Sequence, residues 1–196
     1  MMVYSKHGAW QKMAIGLLWL ALISYGFKLI FDFKTTPGAQ GNAPANWPSS
    51  SQIQPKAGLA TLVLFAHPQC PCTRASLSEL NQIMHQGQHV QAYVMFMQPS
   101  NGQITESWTR AGLIPHTERL TDRQGVEATR FGAMTSGHVV LYNAQGQLQF
   151  AGGITDSRGH EGNNMGRQMV LNYLSNIGLV PAWHATFGCA LQRVLP

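Results

Sequence analysis

Three cysteines offer this chain its chemistry. Cys70 and Cys72 are separated only by Pro71, and Cys189 stands far downstream. An odd count cannot form a complete disulfide framework; it leaves a free thiol, an intermolecular bridge, a redox cycle or a metal site. A disulfide across Cys-x-Cys closes a small ring, whose strain raises its potential and makes it easy to reduce. Ring strain is no obstacle to a metal. His67, Cys70, Cys72 and Cys189 offer one imidazole and three thiolates, a soft set suited to Cu(I), zinc or an iron–sulfur cluster. The redox reading requires no cofactor and the metal reading does. Cys189 reads either as a small buried hydrophobe or, if residues 181–191 fold back on the pair, as a resolving thiol or further ligand. Gly188 gives the backbone freedom for that return.

The neighbours of these thiols are read from chain position. His67 lies three residues before Cys70, next to Pro68, and is placed to tune a thiolate or bind metal. Arg74 follows the pair and favours thiolate by its charge. Arg158 and His160 lie in the glycine-containing turn Ser-Arg-Gly-His-Glu-Gly, as site residues or as caps and loop bridges. His7, His85, His89, His116 and His184 read as surface or structural, and Met95, Met97 and Met134 as core fillers.

Composition excludes several classes. No nucleotide-binding loop, catalytic triad or paired-carboxylate arrangement stands out, and eight acidic residues leave little to build one from. The net charge of +5 is thinly spread, with no cluster interleaving Lys/Arg and aromatics, so no nucleic-acid partner is expected.

The elements that must hold the cysteines follow from patterning. Leu59–Phe65 is an apolar, β-branched run fit for a buried strand. Ala75, Leu77, Leu80, Ile83 and Met84 recur at helical spacing up to Gly87, so the cysteines fall at a strand-to-helix junction. There, unpaired N–H groups and the helix dipole favour thiolate, and Pro71 is tolerated in the first turn. Residues 90–97 form a second strand, 107–112 and 124–131 short helices, and 138–142 and 148–152 a hairpin about the turn Asn-Ala-Gln-Gly. A helix over 165–177 closes the domain. The order β-α-β-α-β-β-α predicts an α/β sandwich with parallel strands first and an antiparallel pair after.

Phe65 ending a strand, then Pro71-Cys72 opening a helix, resembles the thioredoxin-like superfamily. More narrowly, HPQCPCTRASLSEL and GGITDSRGHEG resemble bacterial membrane-associated thioredoxin-like proteins sometimes labelled RedB. The resemblance covers about Leu59–Asn176. It implies a thioredoxin-like three-layer sandwich and, in the leading reading, thiol–disulfide exchange on protein thiols by Cys70, Cys72 and Cys189. The sequence departs from that pattern in two places: one residue is missing between the cysteines, and Met134–Val139 lacks the cis-proline that thioredoxins set opposite them. Gly137 stands there as an open backbone edge, with His138 as a neighbour of the cysteines.

Residues 1–34 read as a signal anchor. Met13–Phe27 carries no charge, and with Lys28 snorkelling the run extends to Phe31, spanning roughly 28 Å. A cleaved signal peptide is the competing reading, but Tyr25-Gly26-Phe27-Lys28 is a poor cleavage site. Basic residues before the helix place the C-terminal domain outside the cytoplasmic membrane of a bacterium, in the periplasm. Residues 35–56, with four prolines and almost no aliphatic side chains, read as a flexible linker, and 57–196 as the domain with its tail. Partners are then the membrane and either protein thiols or a membrane complex, in which the chain is an accessory subunit or assembly factor.

Overall fold

The computed structural model describes residues 6–87, 89–98, 105–177 and 182–191. It separates into two units, Met1–Thr35 and Thr36–Pro196. The first is helix α1 (Lys6–Thr35), long and apolar enough to cross a membrane. Its large apolar side chains, from Trp10 to Phe33, are exposed on every side, as in a helix whose solvent is lipid rather than a protein core. Lys28 and Asp32 pair one turn apart near its end.

In the second unit β1 (Ala60–Ala66) is buried on both faces, which its run of apolar residues requires. It leads into α2 (Cys72–Gln86), β2 (Val90–Met97), α3 (Glu106–Ala111) and β3 (Thr117–Asp122). A turn of 3-10 helix and α4 (Val126–Arg130) precede β4 (His138–Tyr142), β5 (Leu148–Gly153), α5 (Met165–Leu174) and β6 (Ala182–His184). The sheet order is β3-β2-β1-β4-β5-β6. Strands β1, β2 and β3 are mutually parallel, β4 runs antiparallel to β1 and to β5, and β6 lies parallel to β5. Alternate residues of β1 feed two cores. Leu62 and Leu64 pack with α2 and α5 through Leu77, Leu80, Ile83 and Val170. Val63 and Phe65 pack on the other face with Phe131, Tyr142 and Ile53.

The sequence pattern missed β3 and β6. TERLTD carries four polar or charged side chains facing outward in part, as befits an edge-side strand rather than an apolar one. AWH is only three residues long. Met134, expected in the core, is 47% exposed.

The larger correction concerns residues 36–56, which are a strap laid over the second face. Ile53 is 2% exposed and belongs to that core. The Trp47 ring meets Phe131 at 4.9 Å and Tyr142 at 5.2 Å. Backbone bonds fasten the strap along its length: Asn42 N–H to the Gly132 carbonyl (3.0 Å), Trp47 N–H to Gly146 (2.7 Å) and Leu148 N–H to Ala45 (2.8 Å). Tyr142 and Tyr93 donate their hydroxyls to the Pro44 and Gln54 carbonyls. Buried Glu127 accepts from Ser51 Oγ and the Gln52 N–H. The prolines that suggested a linker instead stiffen an ordered segment, lowering the entropy lost on docking.

Ile53→Ala should therefore cost about 3 kcal/mol, as for a core isoleucine, read as a lowered denaturant midpoint. A flexible linker residue would change stability by less than about 0.5 kcal/mol.

Candidate functional site

The end of β1 delivers the chain into a tight turn. Cys70 N–H donates to the His67 carbonyl (3.1 Å) and Thr73 N–H to the Cys70 carbonyl (3.0 Å). Pro71 is the residue before α2, already at helical φ and ψ, and Cys72 is the first residue of the helix. Cys70 and Cys72 are 4% and 8% exposed, so both thiols are partly withdrawn from water.

The tail brings the third cysteine. After β6 it runs back along residues 134–137: Ser136 N–H donates to the Cys189 carbonyl (2.8 Å) and Leu191 N–H to the Met134 carbonyl (2.9 Å), with Thr135 and Ala190 bridged antiparallel. The strap adds Gly38 N–H to the Thr186 carbonyl, 2.8 Å, and Arg158 Nη1 donates to the Gly188 carbonyl. Gly188 is needed for close approach: a Cβ there would lie 1.9 Å from the Ser136 carbonyl oxygen. Cys70 Sγ and Cys189 Sγ end 2.8 Å apart as free thiols.

The three thiols share protons unequally. Cys70 is pulled down to about 4, first by the hydrogen bond from Cys72, with burial opposing and Cys189 adding to the pull. Cys72 is pushed far above the thiol range because it donates to Cys70 and is buried. Burial, then its bond to Cys70, pushes Cys189 up to about 11. The balance favours ionisation at Cys70, with the Cys189 sulfur at hydrogen-bond distance from it. Arg158 is the cation whose field reaches Cys72 and Cys189, favouring their ionised forms.

The other expected residues are distributed differently. His67 turns its ring into its own loop, Nδ1 accepting the Gln69 N–H at 3.3 Å, while its N–H donates to Ser136 Oγ. Arg74 is exposed and its charge acts on Glu106. Gly137, at φ +92°, gives no open edge: its N–H donates to the Phe65 carbonyl (2.8 Å). The edge is Ser136, and the tail occupies it. His160 bonds Asn164 Oδ1 at 2.8 Å and serves as a loop bridge. Among the described residues no group of three or more His, Cys, Asp or Glu is placed to hold a metal ion.

Sequence reasoning missed the polar braces. Thr73 Oγ1 donates to the His67 carbonyl and lies 3.2 Å from Ser136 Oγ, both residues being buried. Fully buried Glu79 of α2 accepts from the Gly162 N–H and pairs with Arg167 at 2.6 Å. A carboxylate in the middle of an amphipathic helix was the signal for the second. His138 bonds Thr186 of the tail through Nδ1 (3.3 Å), and its Nε2 has no partner among the described residues.

An antiparallel β4–β5 hairpin, parallel β1 and β2 around a cysteine-bearing helix, and a closing α5 on the face of α2 make the decisive topology. The chain has a thioredoxin-like fold. No family model and no curated protein matches the sequence. Among solved structures, this thioredoxin-like chain is similar to a hypothetical protein from Sinorhizobium meliloti (17% identity, 80% of this chain and 93% of that one, TM-score 0.55). It is likewise similar to an uncharacterized conserved protein from Geobacillus kaustophilus (17%, 81% and 92%, TM-score 0.56). A secreted Mycobacterium tuberculosis disulfide oxidoreductase matches at 16% identity over 61% of this chain and 83% of that one, TM-score 0.44.

Two titrations check this geometry. In the reduced protein the alkylation rate of Cys70 should stay high down to about pH 5 and fall through about 4; Gly188→Ala, by lifting Cys189 away, should move that midpoint upward. A midpoint above about 8, the ordinary thiol value, would refute the shared-proton arrangement. Burial lowers His138 from 6.5 to about 4, so the native state resists a proton that the unfolded chain accepts. Stability is then full above pH 6.5 and is lost as pH falls toward 4, by about 2 kcal/mol at pH 5. Denaturant midpoints at pH 7 and 5 should differ accordingly, and less in His138→Gln.

Proposed function

We propose that this protein is a membrane-anchored thiol–disulfide redox protein whose working pair is Cys70 and Cys189, with Cys72 as the proton donor that holds Cys70 ionised. The supporting observation is the 2.8 Å approach of the Cys70 and Cys189 sulfurs across 119 residues of chain. A bridge between them closes a long loop and avoids the strained Cys-x-Cys ring. Low pKa makes Cys70 ionised at neutral pH and a ready leaving group, so exchange runs in both directions.

The steps follow from the electrostatics. Cys70 thiolate attacks a substrate disulfide, forming a mixed disulfide and releasing one substrate thiolate, which takes up a proton. Cys70 is then neutral, and two of the causes that raise Cys189, its bond to the thiolate and the thiolate's charge, disappear; Arg158 still favours its ionisation. Cys189 loses its proton and attacks Cys70 Sγ, which expels the second substrate thiolate and leaves the Cys70–Cys189 disulfide. The helix α1 supports attachment to a bacterial inner membrane with the domain outside the cytoplasm. Protein thiols or a membrane complex are the partners this reading implies, and no cofactor enters its chemistry.

Oxidised full-length protein, digested without reduction, should yield a peptide joining Cys70 to Cys189, still formed in Cys72→Ser and absent in Cys189→Ser. Finding no disulfide among the three cysteines at any redox poise would refute the redox reading. Retention of a stoichiometric soft metal would support the metal-binding one.

A further inference from the structure

Cys70 also lines an open cleft of about 390 Å³, on the side of α2 that faces α3. That volume suits a small molecule. Pro68, Cys70 and Pro71 contribute to its lining together with Arg74, Glu106 and Arg110. Among the described residues neither Cys189 nor any other part of the tail lines it, so the described tail leaves this approach to Cys70 clear. The Ser136 N–H and Met134 carbonyl, which an extended peptide could otherwise pair with, are taken by the tail. Among the described residues this polar cavity is an approach to Cys70 that the tail does not take up.

Arg110 is paired with Glu106 at 2.8 Å, which leaves Arg74 as the lining cation with no carboxylate partner among the described residues and the Cys70 thiolate as the remaining negative charge. Among the described residues Arg74 makes no hydrogen bond or ion pair of its own; its field merely assists Arg110 in holding the Glu106 carboxyl below the usual range. The side chain is exposed, four residues beyond Cys70 on the same lip. A guanidinium with unused donors beside a nucleophilic sulfur matches a ligand that carries a carboxylate near its own sulfur.

We propose that the cleft binds a small disulfide or thiol bearing a carboxylate, which Arg74 holds while its sulfur exchanges with Cys70. This rests on the thiol-exchange reading and names its substrate class. The covalent step is the one above: the Cys70–substrate disulfide forms as the substrate S–S bond breaks, one substrate thiolate leaves, and Cys189 then displaces the second. Run backward, the same sequence oxidises two substrate thiols. Without Arg74, the Cys70 thiolate and Glu106 would repel an anionic substrate. The sign of the charge preference therefore reports on this one residue.

The test uses reduced full-length protein in detergent and three disulfides: dithiodiglycolate (anionic), hydroxyethyl disulfide (neutral) and cystamine (cationic). Each rate is divided by that of mercaptoethanol with the same disulfide, which removes intrinsic reactivity. The expected order is anionic fastest, by about tenfold over cationic, the size of one charge-assisted contact. In Arg74→Gln that order should invert, and in the parent protein it should shrink at about 1 M salt. An order with cystamine fastest, or one unchanged by Arg74→Gln, overturns the proposal. Exchange with reduced and oxidised protein substrates but with none of the three small disulfides also overturns it, while leaving the redox reading standing. No exchange with either class overturns both.

Discussion

The docking of the tail onto residues 134–137 governs the chemistry of this molecule. Two backbone hydrogen bonds, from Ser136 to Cys189 and from Leu191 to Met134, set the tail's register. That register points Cys189 at Cys70. Cys72 at the head of α2 adds a second thiol close in sequence, and the site is too dry for water alone to solvate a thiolate. Burial by itself would raise the pKa of Cys70; the two S–H donors reverse the sign. Ionisation of Cys70 and the raised values of Cys72 and Cys189 are coupled, so the three thiols titrate as an interacting set.

The rest of the domain stabilises that register from three directions. Gly188 lets the tail lie against the Ser136 carbonyl, where any Cβ would collide. Arg158 fastens the Gly188 carbonyl from the loop after β5. That loop is tied to α2 by Glu79, which is fully buried and bonded to Gly162 and Arg167. Removing one partner of such a pair would strand a buried charge. The cysteine helix and the tail that completes its site are thus coupled through one ionic brace. The strap closes the third side: Gly38 bonds Thr186, and Thr135 Oγ1 donates to the Ala39 carbonyl.

The strap also changes what the N-terminal half of the chain means. Ile53, Trp47 and a ladder of backbone bonds hold residues 38–54 on the domain, and Arg158 Nη2 lies 3.5 Å from the Thr36 carbonyl within it. Burial of Ile53 and the ring contacts of Trp47 offset the entropy of ordering a segment that has few other apolar groups.

Local patterning determined a good deal by itself. The apolar run of β1, the helical spacing of Leu77, Leu80 and Ile83, and the Asn143–Gly146 turn each depend on neighbours a few residues apart, so they were legible along with the apolar helix and the placement of Cys70 and Cys72 at a strand–helix junction. Edge strands β3 and β6 were not legible, since they are short or polar and owe their state to the strands beside them. The strap was misread because composition records how few apolar groups a segment has, not whether a matching surface awaits the two it does have. His67 and His160 were drawn toward the site by proximity in sequence, yet each ring is used within its own loop. Cys189 could be suspected but not placed. Only the tertiary structure decided which thiol it faces, because that depends on a register between residues far apart in the chain, and no local pattern carries that information.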